Sequence, residues 1–389
     1  MTSTPVAAQN EASPAGMAIP FTVASRVQRR FSNVQTVSNA ASGGSFAPVQ
    51  LPATGWVRRI TLYFTATTNW ASGGAVVNGD GPFRLVTGVT LTDATGQPVM
   101  QPISGYNLQL VNKYSPRSDG SNFDSPWENP QSGPEYAYSS TGTVGTAVFR
   151  LTIDFEMDSN TGYGCIPNLD SNASLQLKVD YSVATTAFTG VTIGVSTLSM
   201  RVGQEYWAPV SSSQGGLSVD AAPPGAGDYL ETRYETQPVS ASSENLVTLT
   251  NRGGLVKCII LVSRAAGARV AITAASNLGI LLDNQPINEG IPIEEHYDYH
   301  RRQYGYLGAD TAVAGAYAAL SVGTNPGLDL GVVPVNFDGL CGGRQGWLNT
   351  RAGSLLQIKV TPGAAATQLE IITQLAQVKD HAAFYAPAA

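Results

Sequence analysis

Two histidines four residues apart, His296 and His300, follow Glu294 and Glu295 in the stretch NQPINEGIPIEEHYDYHRRQYG, residues 284–305. On a helix this spacing puts both imidazoles on one side, the arrangement zinc takes from its first two ligands. A third ligand would come from a carboxylate or from His381, the one other histidine. Nothing in the spacing supplies it, so the segment reads as a packed, partly exposed helix. Asp154, Glu156 and Asp158 alternate with apolar residues. Glycoside hydrolysis needs two carboxyl groups converging across a cleft. Three acids on one outer strand face read instead as solvated surface or a subunit contact. GLCGGRQGW, residues 339–347, is glycine-rich but lacks the following helix and the lysine of a phosphate cradle, so it reads as a turn. There is no G-x-S-x-G, and three histidines leave acid–base chemistry few players. No catalytic residue, cofactor or metal site is expected, and the chain does not read as an enzyme.

The elements that carry these residues follow from periodicity. AVFRLTIDFEM alternates: Ala147, Phe149, Leu151, Ile153, Phe155 and Met157 share one face. LQLKVDYSV places Leu175, Leu177, Val179, Tyr181 and Val183 together, and WVRRITLYF places Trp56, Ile60, Leu62 and Phe64 together. A period of two marks half-buried antiparallel strands. LVKCIILVSR is a fully buried run. Two helical stripes stand out, Ile103-Tyr106-Leu110-Tyr114 and Ile293-His296/Tyr297-His300-Tyr304. They sit at the same place in a duplicated pattern. Asp93 and Asp283 each end an apolar run; each is followed by Gln-Pro-aliphatic, Pro-Ile and a stretch closing on Tyr. Pro102-Ile103 and Tyr114 recur 190 residues later as Pro292-Ile293 and Tyr304. That offset is close to half the chain, so the molecule is expected to be all-β, in two similar halves of about eight strands with one short helix each.

Composition narrows the partners. Charged residues are 13% of 389, about half the usual quarter, and the net charge is −6. An acidic chain lacks the basic footprint of non-specific nucleic-acid binding, and no direct sequence-specific nucleic-acid contact is expected. Low charge with 41 glycines and 23 prolines suits a turn-rich surface buried against something else. Mean hydropathy is −0.02, that of a globular chain. Cys165, Cys258 and Cys341 are odd in number and far apart, so buried free thiols are expected. No apolar run spans a bilayer and no secretory signal is visible, so the chain is expected to fold in the cytoplasm where it is made. The organisation expected is an arm, 1–26, a first barrel, 27–208, a Ser/Gly/Pro linker, 209–228, a second barrel, 229–378, and a tail, 379–389. The turn-rich segment 115–142 is long enough to be functional or interfacial.

TGWVRRITLYFTATTNW, DGPFRLVTGVTLTDATGQPV, SGYNLQLVNKYS, GCIPNLDSNASLQLKVDYS and LLDNQPINEGIPIEEHYDYHRRQYG stand in that order. In order and spacing the set resembles the double jelly-roll major capsid proteins of tailless, membrane-containing bacterial viruses, of which the tectiviruses are the best-known group. The resemblance covers roughly residues 27–378. It implies two tandem eight-stranded jelly-roll barrels and a homotrimer, a pseudo-hexameric capsomer tiling an icosahedral shell around an internal membrane. Neighbouring capsomers, minor capsid and vertex proteins would be its partners, and the virion its location after synthesis in the host cytoplasm. The arm would lie on the inner side, where Arg26, Arg29 and Arg30 could meet lipid phosphates or carboxylates of a neighbouring subunit. The competing readings are a lectin-like or adhesin two-domain β-sandwich, binding sugars through the 115–142 loop near Trp127, Tyr136 and Tyr138, and a carbohydrate-active enzyme on a jelly roll.

Overall fold

Alternation decides which side chains turn inward. The computed structural model describes residues 18–38, 42–69, 76–77, 80–115, 137–141, 144–157, 161–189, 197–214, 217–250, 252–270, 272, 277–293, 295–296, 331–337, 344–351, 353 and 355–378. The first half contributes β1 (Val27–Phe31), β2 (Val49–Gln50), β3 (Gly55–Asn69), β4 (Val86–Thr92), β5 (Pro98–Ile103), β6 (Val144–Asp154), β7 (Gln176–Tyr181) and β8 (Thr197–Trp207). The second contributes β9 (Tyr229–Pro238), β10 (Asn245–Thr248), β11 (Leu255–Ala265), β12 (Asn277–Leu282), β13 (Gln285–Pro292), β14 (Val332–Asn336), β15 (Leu356–Val360) and β16 (Gln368–Gln377). Short segments, among them Gly44–Ser45 beside β7 and Gln35–Ser38 beside β8, extend the edges.

The pairing repeats. In the first half the strands run β1-β8-β3-β6 in one sheet and β2-β7-β4-β5 in the other. In the second they run β9-β16-β11-β14 and β10-β15-β12-β13. All these pairs are antiparallel. This is the jelly-roll order twice over, and each strand βn has its equivalent at βn+8. The cores fill by alternation: Ala147, Phe149, Leu151 and Ile153 are buried along β6, and Phe64 stacks on Phe149 at 5.0 Å between ring centroids. One contiguous apolar cluster runs through both barrels.

The echoed segments are a strand, a turn, a strand and the start of a helix. In the first copy Asp93 ends β4 and its carboxylate accepts the Thr95 and Gln97 amides and the Thr95 hydroxyl. In the second, Asp283 and Asn284 hold φ of 51° and 62°, a two-residue hairpin turn. After β5, Ser104 caps the helix α2 (Gly105–Tyr114) by accepting the Asn107 amide at 3.2 Å. After β13 the helical residues Ile293, Glu295 and His296 begin the counterpart; His300 and Tyr304 lie outside the described residues.

Two sequence readings are corrected by one backbone feature. β3 and β8 slip register at Arg58, which has no partner between the pairs Val57–Tyr206 and Arg59–Glu205. The bulge swaps faces, so Val57 joins Ile60 in the core while Trp56 turns the other way, onto Cys165, Trp207 and Phe21. Opposite it, the Phe155 and Glu156 amides both donate to the Arg58 carbonyl, at 3.0 and 3.2 Å. Glu156 is thereby turned inward and is 1% exposed, not on the solvated outer face. A third difference lies in the arm: the short helix α1 (Phe21–Ala24) buries Phe21 against Trp207, and Ile19 bridges Val219.

Candidate functional site

A cluster of interacting polar side chains joins the two barrels. Asp80, just before β4, receives Arg264 of β11 and Arg269, each at 2.8 Å. Arg264 also donates to Glu370 of β16 at 2.6 Å, and both guanidinium groups lie over the Tyr106 ring of α2 at 5.5 and 5.4 Å. All four charged side chains are almost fully buried. Burial works against the Arg264 charge, but Asp80 and Glu370 outweigh it and raise its pKa. Ser115 bonds Gln374, and the Asn336 amide donates to the Tyr114 carbonyl at 2.7 Å. Helix α2 packs on β11 and β16, and β9 runs against β5. This seam fixes one barrel against the other. Its strand β11 is consequently buried on both faces, which is what the unbroken LVKCIILVSR run encodes. A water-sized cavity of about 20 Å³ remains, lined by Met100, Leu108, Val111, Leu230, Thr232 and Gln374 among others.

The described residues among the candidates read from sequence do not converge. Asp154 pairs with Arg59 at 2.7 Å. Glu156 is held by Arg58 at 2.7 Å, by the Gly162 amide at 2.8 Å and by the Trp207 indole at 3.2 Å. A carboxylate fixed by a guanidinium and two N–H donors is a structural anchor. Asp158, Glu294 and His381 lie outside the described residues. His296 is buried, its Nε2 has no partner among the described residues, and burial lowers its pKa to about 4. Cys165 and Cys258 are buried free thiols; Cys341 lies outside the described residues. Of the glycine-rich stretch, Arg344–Gly346 form a single 3₁₀ turn and Trp347 is buried. No group of three His, Cys, Asp or Glu able to hold a metal occurs among the described residues.

Arg26, Arg29 and Arg30 are exposed. Arg29 and Arg30 belong to β1, an edge strand exposed at all five positions, and Arg29 meets Glu205 at 2.8 Å. The 115–142 loop with Trp127 and Tyr136 falls mostly outside the described residues. An open hollow of about 370 Å³ lies on β12, β13 and β15, with Lys359 and Glu244 paired at 3.0 Å on its rim; its described lining holds no aromatic ring for a sugar to stack on.

Sequence reasoning missed Asp80, Arg264, Arg269 and Glu370. Their separations, 184 residues between Asp80 and Arg264, leave no local signal. A pair of arginines ending a buried run, Arg264 and Arg269, is the one hint the sequence holds.

No family model matches the sequence, and no curated protein matches it. Solved structures do. The atomic structure of Sulfolobus turreted icosahedral virus contains a chain 14% identical, with 90% of each chain covered and a TM-score of 0.60. The major capsid protein of bacteriophage PM2 is 14% identical over 91% of this chain and 99% of its own, TM-score 0.52. A chain of the PBCV-1 virus capsid is 10% identical over 90% and 94%, TM-score 0.54. At such identities the likeness is one of backbone, and it agrees with the strand orders above: the chain has a double jelly-roll fold, matched over about nine-tenths of its length by chains of viral capsids.

Proposed function

We propose that this chain is the major capsid protein of an icosahedral virus. The observation that carries the reading is the duplication. One chain holds two copies of the same eight-strand frame, locked by a buried polar seam, and chains of virus capsids match it over nine-tenths of its length. The mechanism is geometric. Two similar barrels per chain let three chains present six similar sides, so a trimer packs among six neighbours. In this reading residues 27–208 and 229–378 are the barrels, 209–228 the linker, and 1–26 and 379–389 an arm and a tail. The partners are two further copies, neighbouring capsomers, minor capsid and vertex proteins and, beneath the shell, an internal membrane; the place of action is the virion of a virus made in its host's cytoplasm. The low charge supports the reading, because subunits that bury their sides are depleted in charged residues there.

Light scattering on the purified chain tests it. A mass three times 40.7 kDa is expected, and a stable single-chain mass at every concentration would overturn the assembly reading.

A further inference from the structure

Within the molecule, β5 of the first barrel meets β9 of the second. By the repeat, β13 is the equivalent of β5 and β1 the equivalent of β9. The chain makes no comparable contact between its own β13 and β1. We infer that β1, with Arg29 and Arg30, is the docking strand for β13 of a second copy of this chain. This rests on the trimer proposed above and says which strands close it.

Three observations support that occupant. The first is the exposure of equivalent positions. On β9, where the first barrel covers it, Leu230, Glu231 and Thr232 are buried. Their counterparts on β1, Val27, Gln28 and Arg29, are all exposed, Val27 at 38%, whereas Phe31 matches Tyr234, which stays exposed at 41% even in the internal seam. β1 pairs with β8 on one side and its other edge is unpaired among the described residues, a state folded proteins normally cover or charge. The second is chemistry. β1 reads VQRRF, apolar at both ends with two cations between, while β13 reads QPINEGIP, with Ile287 38% exposed and Glu289 its one charged residue. Arg29 already uses one side on Glu205, yet its side chain is 66% exposed and has room for a second carboxylate. The third is closure. A head-to-tail contact repeated by rotation forms a ring, and alternating an internal seam with an equivalent external one gives six barrels from three chains. The arginines are thereby assigned to a protein neighbour and not to lipid.

The experiment compares wild type, Val27→Asp with Phe31→Asp, and Ile287→Asp by light scattering, with circular dichroism to follow folding. Val27 and Ile287 are exposed in the single chain, while Phe31 rests on Tyr63 with ring centroids 6.0 Å apart, so Val27→Asp alone replaces the double variant if the pair fails to fold. Wild type should run at three chain masses and both variants at one. Val27→Cys combined with Ile287→Cys, oxidised, should give a covalent ladder reaching three chains on a denaturing gel. If wild type is trimeric and the variants remain so without a ladder, this inference falls and the capsid reading stands. A single-chain mass for wild type would overturn both. Arg29→Glu with Arg30→Glu that keeps the trimer but loses flotation with anionic phospholipid vesicles would give the strand to lipid and overturn the assignment.

Discussion

The two barrels solve one problem in two ways. Each has a bulge in its central strand that turns a basic residue into the interior, Arg58 in β3 and Lys257 in β11. In both, the carbonyl of that residue accepts the amide of a buried phenylalanine, Phe155 at 3.0 Å and Phe337 at 2.9 Å. In both, the cation lies near a tryptophan ring, Trp207 at 5.7 Å and Trp347 at 5.8 Å. The first barrel adds a buried carboxylate, Glu156. The shared frame is therefore backbone geometry plus an aromatic wall, and Glu156 belongs to the first barrel.

That difference gives the largest expected effect. Removing one member of a buried pair leaves the other charge without compensation, which costs about 3–5 kcal/mol. Glu156→Ala also deprives the Gly162 amide and the Trp207 indole of their acceptor. It should lower unfolding free energy by about that amount in a denaturant titration, with Glu156→Gln between it and wild type. Lys257→Met keeps an unbranched chain against Trp347 and loses at least the cation–π contact, worth about 2 kcal/mol. A loss at Glu156 no larger than the loss at Lys257 would break the comparison.

The second contrast lies in the echoed segment. Three residues past the paired isoleucines stand Tyr106 and His296, both buried. Tyr106 lies beneath two guanidinium groups of the seam. His296 has an imidazole whose pKa burial lowers to about 4 from 6.5. The folded state holds the neutral ring, so between pH 6.5 and 4 the unfolded chain binds a proton that the folded chain does not. Stability from this group is complete above pH 6.5 and falls as pH drops to about 4, by about 3 kcal/mol at 1.36 kcal/mol per unit. In His296→Phe that component of the acid loss should vanish. Melting curves at pH 7 and pH 4 for both proteins check it; parallel acid sensitivity would place the ring in water in the folded state.

The parts legible in sequence were those with local period. The alternation of β6 and β7, the doubly buried β11 and the repeat around Asp93 and Asp283 each rest on residues within one or two elements. Trp56 and Glu156 were misread for one reason: a bulge inserts a residue and reverses the faces beyond it, and a period of two carries no mark of where that happens. Adjacent Arg58 and Arg59 were the available signal, since one pairs inward with Glu156 and the other outward with Asp154. The seam was illegible because Asp80, Tyr106, Arg264 and Glu370 meet only after two barrels have formed and docked.

The smallest effect separates repetition from stability. The equivalent strands β7 and β15 each carry one lysine, Lys178 near Asp180 at 3.5 Å and Lys359 near Glu244 at 3.0 Å. Their side chains are 54% and 47% exposed. Exposed pairs are worth about 0–1 kcal/mol, because water screens the attraction and holding two long side chains still costs entropy. Lys178→Met and Lys359→Met should each change unfolding free energy by less than about 1 kcal/mol, and the change should shrink further in high salt. A position that repeats in both barrels without contributing to folding is open to another role, and Lys359 borders the hollow on β12 and β13. A loss well above 1 kcal/mol at Lys359 alone would show instead that its pair with Glu244 holds that hollow in shape, a task Lys178 does not have.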